Sequence, residues 1–327
     1  GPVDHAWSLV ATTYENKGGF RNIRNSTDPD FLRPLNFYDL QFGAAPNVGS
    51  FSTAGVAISS KNQLHSVGLA DRMSFLGDTV QLTLGVRHQT VKNISVSATG
   101  VETVSYDKSA LSPSAALLVK LTPQLSVYAS TIQGLSQGST APATAANANE
   151  VLPPFKTKQY ELGAKYDFGN FAATAALFQI ARPSFYTDPA TNIYAANGEQ
   201  RNRGFELNVF GEATRGLRLL GGISHTEAKM TKTAGGVNQG RYATALPKWQ
   251  AKLGVEWDVP ALPGLTLTGN ALSVSKQYIN ADNSLSVPGR TVFDLGARYA
   301  LRVADRPVTL RAAVLNVANK AYWAGSL

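Results

Sequence analysis

The sequence contains no cysteine, which excludes disulfide bonds and thiolate metal sites. Charged residues make up only 16% of the chain, below the roughly 25% typical of soluble domains. Transmembrane helices need about 20 consecutive apolar residues, and the longest uncharged run, residues 121–149, is broken by proline and glycine. What fills the chain is Ser, Thr, Asn, Gln and 29 glycines. These residues are indifferent or poor helix formers, so the composition favours strands and turns.

The net charge of +8 raises the question of a nucleic-acid partner. The basic residues are scattered singly, however, and the densest cluster is KTK at 156–158. Such a dispersed excess does not predict nucleic-acid binding. Attraction for small anions or anionic lipid headgroups fits it better.

Residues that could carry catalysis or bind a metal are few and far apart. The four histidines, His5, His65, His88 and His225, form no pair at metal-ligand spacing. No GxSxG motif singles out a nucleophilic serine. We therefore expect neither an enzyme, nor a metal site, nor a bound cofactor.

Alternation with a period of two is the main structural signal. Tyr160, Leu162 and Ala164 alternate with polar positions such as Glu161 and Lys165. The same pattern recurs at 80–89, 205–209, 249–258 and 307–318. Each of these segments is predicted to be a strand with one apolar face and one polar face.

The connections between the predicted strands alternate in length. Short turns are predicted at 76–79, 121–124, 168–170, 213–216, 259–264 and 303–307, and longer loops near 94–108, 136–156, 185–198, 231–241 and 280–287. Several strands reach the 9–11 residues that a tilted membrane strand needs. Short turns on one side and long loops on the other are typical of outer-membrane barrels. The prediction is an all-β, antiparallel transmembrane β-barrel.

About thirteen strands are predicted along the chain. Their ranges are 4–16, 54–75, 78–92, 109–121, 124–135, 156–168, 170–184, 199–213, 215–230, 241–258, 264–279, 288–302 and 307–318. The segment from Lys17 to Ser52 is predicted to be a long outer loop. A β-bulge near Gly269 and Asn270 is expected, because it would return Leu272, Val274 and Tyr278 to the lipid side.

Several stretches, in order along the chain, resemble TonB-dependent siderophore receptors. They include KTKQYELGAKYDFGN (156–170), GEQRNRGFELNVFGE (198–212), VPGRTVFDLGARY (287–299) and LNVANKAYW (315–323). The resemblance implies a 22-stranded barrel around an N-terminal plug domain, in which these strands are the ninth to the twenty-first. Residues 1–327 are then one incomplete barrel domain, without the plug, the TonB box, the first eight strands or the last strand.

The resemblance also implies a location, a function and partners. The location is the bacterial outer membrane, and the function is binding a ferric siderophore for TonB-dependent uptake. The implied partners are the ferric siderophore, the TonB complex through the absent N-terminal part, outer-membrane lipid and lipopolysaccharide. Two alternatives remain at this stage: a passive outer-membrane porin, and a soluble β-rich adhesin or binding module.

A siderophore receptor needs aromatic and cationic groups that hold the outside of the chelate, since the siderophore already fills the coordination shell of iron. Candidates at loops and extracellular strand ends are Phe185, Tyr186, Tyr194, Arg201, Arg203, Arg241, Tyr242, Tyr322 and Trp323. By parity with Trp249, Tyr242 is predicted to point into the lumen unless a bulge intervenes. The alternative for the aromatic residues is an interfacial girdle or loop packing. For the arginines it is lipopolysaccharide contact or a charge pair, such as Arg203 or Arg218 with Glu206.

Overall fold

A computed structural model describes residues 3–19, 56–97 and 99–323, and in these ranges most of the chain is β-strand. The strands are β1 (Asp4–Gly18), β2 (Ser60–Phe75), β3 (Val80–Val96), β4 (Glu102–Lys120), β5 (Leu125–Ser136), β6 (Phe155–Asp167), β7 (Phe171–Thr187), β8 (Tyr194–Thr214), β9 (Leu217–Lys232), β10 (Trp249–Asp258), β11 (Leu265–Val274), β12 (Gln277–Tyr278), β13 (Ser286–Val287), β14 (Arg290–Val303) and β15 (Arg306–Val314). A 3-10 turn at Ala234–Gly236 is the only helical element in the described ranges.

Thirteen of these strands form one antiparallel sheet in chain order, from β1 to β11 and then β14 and β15. The predicted strand number and the all-β class are confirmed. The short strands β12 and β13 pair only with each other. No helix in the described part of the chain is long and apolar enough to cross a bilayer.

Two faces of the sheet follow from the pairing register. The apolar face carries Leu162, Leu177 and Phe205, which pair directly across β6, β7 and β8. The polar face carries Glu161, Lys165, Glu206 and their partners. No second layer covers the apolar face in the described ranges, where Leu162 is 57% and Leu177 60% exposed. A continuous exposed apolar face of this kind marks a surface that meets lipid or another apolar partner.

The connections at the two ends of the strands differ in length, as predicted. At one edge, here called the turn end, connections are as short as Ala304–Asp305, whose φ angles of 49° and 61° are those of a two-residue hairpin turn. In another turn at this end, a hydrogen bond from Lys120 lowers the pKa of Asp78. At the opposite edge, the loop end, the connections 137–154, 233–248 and 275–289 are longer.

The strands are staggered against one another. One row of register partners begins at the turn end with His5 and reaches the loop end at Trp249, passing through Met73, Leu82, Leu117, Ala129, Leu162, Leu177, Phe205 and His225. Register partners lie side by side, so this row moves from the turn end to the loop end because each strand is shifted along its neighbour. Closing a sheet into a barrel requires such a stagger, together with a tilt of the strands against the barrel axis. The sheet is therefore built as barrel wall rather than as half of a sandwich.

Several sequence-based boundaries are corrected. The predicted loops at 94–108 and 185–198 are mostly strand, because β3–β4 and β7–β8 extend as long hairpins to residues 97–101 and 188–193. The strand predicted over 241–258 begins only at Trp249, and the one over 264–279 ends at Val274. The loop predicted from Lys17 to Ser52 lies largely outside the described residues.

The predicted bulge near Gly269 and Asn270 is wrong. Strand β11 pairs with β10 and with β14 in unbroken register through both residues. Leu272 and Val274 therefore lie on the polar face, and Tyr278 belongs to the separate β12–β13 pair. An uninterrupted ladder of backbone hydrogen bonds on both sides of β11 outweighs the cost of turning two apolar side chains to the polar face.

One carboxylate lies on the apolar face near the turn end. Asp71 pairs in register with Trp7 and Leu84, and its side chain is 12% exposed. His5 Nδ1 lies 2.7 Å from Asp71 Oδ2. The second carboxylate oxygen is buried with no hydrogen-bond partner among the described residues. His5 thus couples β1 to β2 through a polar contact in apolar surroundings.

A glycine on the polar face makes room for a tyrosine. Tyr128 of β5 crosses its register partner Gly163 and donates a 2.5 Å hydrogen bond to Glu161 of β6. A Cβ at Gly163 would lie 2.5 Å from the Tyr128 ring. A Cβ at Gly134, on the same face of β5, would meet nothing within 4 Å.

We expect Gly163→Ala to destabilise the barrel by about 1–3 kcal/mol, because the added methyl displaces the Tyr128 ring and its hydrogen bond. The measurement is thermal unfolding in detergent, followed by circular dichroism. Gly134→Ala is the matched control and should leave the transition unchanged or slightly raised. Equal transitions for the two variants would contradict the packing role of Gly163.

Candidate functional site

A cluster of rings and a guanidinium lies at the loop end of β6, β7 and β8. Phe155, on the polar face of β6, contacts the Phe185 ring edge-on with 5.6 Å between centroids. Phe185 stacks on Tyr194 at 5.7 Å. The guanidinium of Arg182 lies over Phe155, 5.7 Å from the ring centroid. These four residues are called the loop-end cluster below.

The strand geometry explains why these residues meet. Arg182 is on the polar face of β7, opposite Gln200 of β8. Between Ser184 and Tyr186 the β7–β8 register shifts. Such an irregularity re-aims side chains that strict alternation would send to the other face. Phe185 falls inside this shift and thereby contacts Phe155.

The loop 137–154 holds Tyr194 in place. The Asn147 side chain accepts a hydrogen bond from the Tyr194 backbone nitrogen at 2.8 Å and donates one to the Tyr194 carbonyl at 2.9 Å. The Tyr194 hydroxyl donates to Ser139 Oγ at 3.0 Å. Three hydrogen bonds to one residue fix its ring against Phe185, so the loop-end cluster is pre-organised.

A second contact between an aromatic ring and a cation lies on the polar face at the start of β14. Arg290 pairs in register with Val274, which places it on the polar face. Its guanidinium lies over Tyr322, 4.8 Å from the ring centroid, and it donates a 3.1 Å hydrogen bond to the carbonyl of Trp323. The candidates Tyr322 and Trp323 are thus joined by Arg290, which the sequence reasoning did not single out.

Tyr242 is not where parity predicted. It forms an isolated bridge with Lys229, and Lys229 pairs with Arg201 on the apolar face. Lys248 lies over the Tyr242 ring, 3.9 Å from the centroid, and Tyr278 stacks on it at 6.0 Å. Residues 243–248 leave the strand, so counting by twos back from Trp249 fails.

The candidate arginines of β8 also lie on the apolar face. Arg203 and Arg201 alternate with Phe205, and Glu206 lies on the opposite face. Arg203 donates to Gln179 at 2.6 Å, and Arg201 pairs with Glu199 at 2.6 Å. The suggested pairing of Arg203 with Glu206 is therefore wrong. Arg218 shares the polar face with Glu206 but pairs with Glu256 and Asp258 instead.

The other candidates are placed simply. Tyr186 adjoins the loop-end cluster and pairs with Ala195. The exposed Arg241 accepts a backbone hydrogen bond from Met230 at 2.9 Å. Phe155, Arg182 and Asn147 were missed by the sequence reasoning. The available signal was Phe155 itself, an apolar ring in phase with the polar side chains Thr157 and Gln159.

A network of charges joins four strands on the polar face at the turn end. Arg218 donates two hydrogen bonds to Asp258, at 2.7 and 2.8 Å, and a third to Glu256 at 3.2 Å. Arg298 reaches Glu256 at 3.4 Å, and Thr266 donates to Asp258 at 2.7 Å. Strands β9, β10, β11 and β14 are thereby linked through side chains as well as backbone.

The polar face also holds a cleft of about 570 Å³ between the loop-end cluster and this network. Its floor combines Phe210, Leu220 and Leu272 with polar groups that include Lys252 and Asp294. Leu220 is 70% exposed. In the described part of the chain, no group of three or more His, Asp or Glu side chains is placed to hold a metal ion.

Comparison with known proteins gives a consistent result. A family model described as "TonB dependent receptor-like, beta-barrel" matches residues 3–317. The ferrichrome receptor FcuA of Yersinia enterocolitica is 35% identical over 331 residues, which cover 99% of this chain and 43% of that protein. The ferrioxamine B receptor of Salmonella typhimurium is 27% identical over 332 residues, which cover 99% of this chain and 45% of that protein.

Solved structures agree with this match. The ferric preacinetobactin receptor BauA from Acinetobacter baumannii is 48% identical with a TM-score of 0.82, over 99% of this chain and 48% of that chain. The chain thus spans less than half the length of each of these relatives.

We expect Arg218→Gln to lower the unfolding temperature modestly at low salt, because two carboxylates lose their shared counter-charge. High salt should remove most of the difference, since exposed charge pairs are screened. Thermal unfolding at both ionic strengths checks this, with Arg203→Gln as a control that removes a charge but no ion pair. A difference between Arg218→Gln and the unsubstituted protein that ignores salt would contradict the electrostatic role.

Proposed function

The chain belongs to the family of TonB-dependent receptor β-barrels, and from this premise we propose that it forms part of the wall of a receptor for ferric siderophores. Members of this family are outer-membrane barrels and transport receptors rather than enzymes. The apolar face then meets lipid, the polar face lines the lumen, and the loop end is extracellular.

The observation that carries the proposal is the loop-end cluster. It presents two phenyl rings, a phenol and a guanidinium on the lumen side, at the end where an external ligand would arrive. Aromatic faces and a fixed cation suit the outside of a bulky chelate that carries apolar and anionic groups. Arg290 with Tyr322 supplies a second contact of the same type on β14.

Iron is cargo in this proposal and needs no ligand from the protein. The chelator fills the coordination shell, so recognition depends on shape, stacking and hydrogen bonds at the surface of the complex. Trp323, whose carbonyl accepts a hydrogen bond from Arg290, belongs to the proposed contact set. Tyr186 does not, because it pairs with Ala195 and lies on the face opposite Tyr194. Arg201, Arg203 and Tyr242 do not, because their side chains lie on the opposite face.

The relatives named above are receptors for ferrichrome, ferrioxamine B and ferric preacinetobactin, which are chemically different chelates. The proposal is accordingly for the class of ferric siderophores. It includes energy coupling through the TonB complex, because TonB dependence is implied by membership of this family.

The test is binding of ferrichrome, ferrioxamine B and ferric preacinetobactin to the full-length protein in detergent. Quenching of tryptophan fluorescence reports the binding. Phe185→Ala and Tyr194→Ala should each weaken binding of the recognised chelate about tenfold, because each removes a stacking surface. Arg203→Gln is the matched control on the apolar face and should bind like the unsubstituted protein.

Two results would overturn the proposal. One is the absence of saturable binding for every chelate in the panel, together with free passage of small solutes, which would indicate a passive pore. The other is an unchanged affinity in both aromatic variants.

A further inference from the structure

An asparagine side chain joins the loop 137–154 to the loop-end cluster. Asn147 Oδ1 accepts a 2.8 Å hydrogen bond from the Tyr194 backbone nitrogen, and Asn147 Nδ2 donates a 2.9 Å hydrogen bond to the Tyr194 carbonyl. The amide thus pairs with one residue as a peptide group does in an antiparallel ladder. This pair of hydrogen bonds is called the Asn147 clamp below.

The Asn147 amide is held in one orientation. Its Nδ2 also donates to Glu150 Oε2 at 2.7 Å, so both amide hydrogens and the amide oxygen are used. Turning the amide over would set its oxygen against the Glu150 carboxylate and the Tyr194 carbonyl, and its hydrogens against the Tyr194 N–H. The clamp therefore forms in a single geometry.

The hydroxyl end of the same tyrosine is held by the same loop. The Tyr194 hydroxyl donates to Ser139 Oγ at 3.0 Å. Next to Ser139, the Gly138 N–H donates to the hydroxyl of Tyr106 on β4 at 2.9 Å, and Tyr106 is only 3% exposed. Tyr194 is thus fixed at both ends by a loop that is itself attached to a buried side chain.

The loop 137–154 has a structure of its own. Thr140 and Val151 form a β-bridge, and the Leu152 N–H donates to the Ser139 carbonyl at 2.9 Å. Leu152 is buried, and a Cβ at Gly138 would collide with the Leu152 carbonyl oxygen. These contacts hold the loop in position before any ligand arrives.

A second clamp of the same geometry holds a tyrosine outside the proposed site. Asn283, in the loop 275–289, accepts a 2.8 Å hydrogen bond from the Tyr242 nitrogen and donates a 2.9 Å hydrogen bond to the Tyr242 carbonyl. The Tyr242 bridge with Lys229 places it on the apolar-face side, away from the loop-end cluster. The chain therefore contains two matched clamps, and only the Asn147 clamp acts on the cluster.

We propose that Asn147 is a positioning residue for chelate recognition, which keeps the Tyr194 ring stacked on Phe185 without touching the chelate itself. The proposal rests on the receptor function given above and names a residue on which that function depends. Without the clamp, the Tyr194 backbone is released and the stacked arrangement is populated for only part of the time. Apparent affinity falls in proportion to the population of the competent arrangement.

A double-mutant cycle on the full-length protein in detergent tests this role, with ferrichrome, ferrioxamine B and ferric preacinetobactin as probes. Asn147→Ala should weaken binding of the recognised chelate about fivefold, since two hydrogen bonds that hold the ring are lost. In a Tyr194→Ala background, Asn147→Ala should cause no further loss, because the ring through which Asn147 acts is already absent.

Asn283→Ala is the matched control. It removes the same two hydrogen bonds from the other clamp, at a residue whose φ of 60° makes alanine strained as well. The control thus disturbs its own loop at least as much as Asn147→Ala does, and it should bind the chelate like the unsubstituted protein. Migration on unheated gels, where folded barrels run faster, establishes that each variant is folded before it is compared.

Asn147→Asp tests the hydrogen-bond pattern without changing the size of the side chain. At pH 7 the second carboxylate oxygen would face the Tyr194 carbonyl and Glu150, so binding should weaken at least as much as in Asn147→Ala. Near pH 4 the new carboxyl group is partly protonated and regains one donor. Part of the affinity should then return, relative to the unsubstituted protein at the same pH.

A measurement without ligand separates failure of the clamp from failure of the proposed function. The Tyr194 N–H donates to Asn147, so its hydrogen–deuterium exchange, resolved by mass spectrometry of overlapping peptides, should be about tenfold faster in Asn147→Ala. In Asn283→Ala it should be unchanged.

The proposal is overturned if Asn147→Ala weakens binding equally with and without the Tyr194 ring, which would indicate that Asn147 contacts the chelate or supports the loop in general. It is also overturned by unchanged exchange at Tyr194, or by unchanged affinity in Asn147→Ala despite faster exchange. Absence of binding for every chelate overturns the receptor function and this role together, and the exchange result then shows whether the clamp itself exists.

Discussion

The structure depends on one constraint: backbone N–H and C=O groups in a single layer facing hydrocarbon can be satisfied only by the neighbouring strands. Long strands, near-unbroken registers and few bulges follow from it. The same constraint explains why the sheet needs no buried core. Apolar side chains point to the lipid and polar side chains point to the water of the lumen. The two faces of the sheet thus take the place of the buried core and exposed surface of a soluble protein.

This sorting is why so much of the fold could be predicted from the sequence. A strand exposed to lipid on one side and water on the other keeps strict alternation over its whole length, as Tyr160 to Tyr166 do. Alternating short and long connections then indicate that consecutive strands are antiparallel neighbours. Thirteen strands and their neighbours follow from these two signals, which are local and need no knowledge of long-range packing.

The predictions are wrong where the alternation of apolar and polar residues no longer shows which segments are strands or which face a residue lies on. Beyond the membrane both faces meet water, so the hairpins β3–β4 and β7–β8 continue without an apolar row and look like loops in the sequence. Tyr242 was assigned by counting across residues 243–248, which are not strand. Phe185 reaches the lumen side through a register shift that no residue type marks. The candidate residues could therefore be assigned to the loop end of the strands, but those on the two faces could not be separated.

The contact between His5 and Asp71 bears on how the wall is assembled. A carboxylate on the lipid-facing side of β2 is costly to place in hydrocarbon alone, and its hydrogen-bond partner is on β1. Separating β1 from β2 in hydrocarbon would leave the Asp71 carboxylate without its partner. The pair therefore adds a side-chain cost to opening this seam, beyond the loss of the backbone ladder.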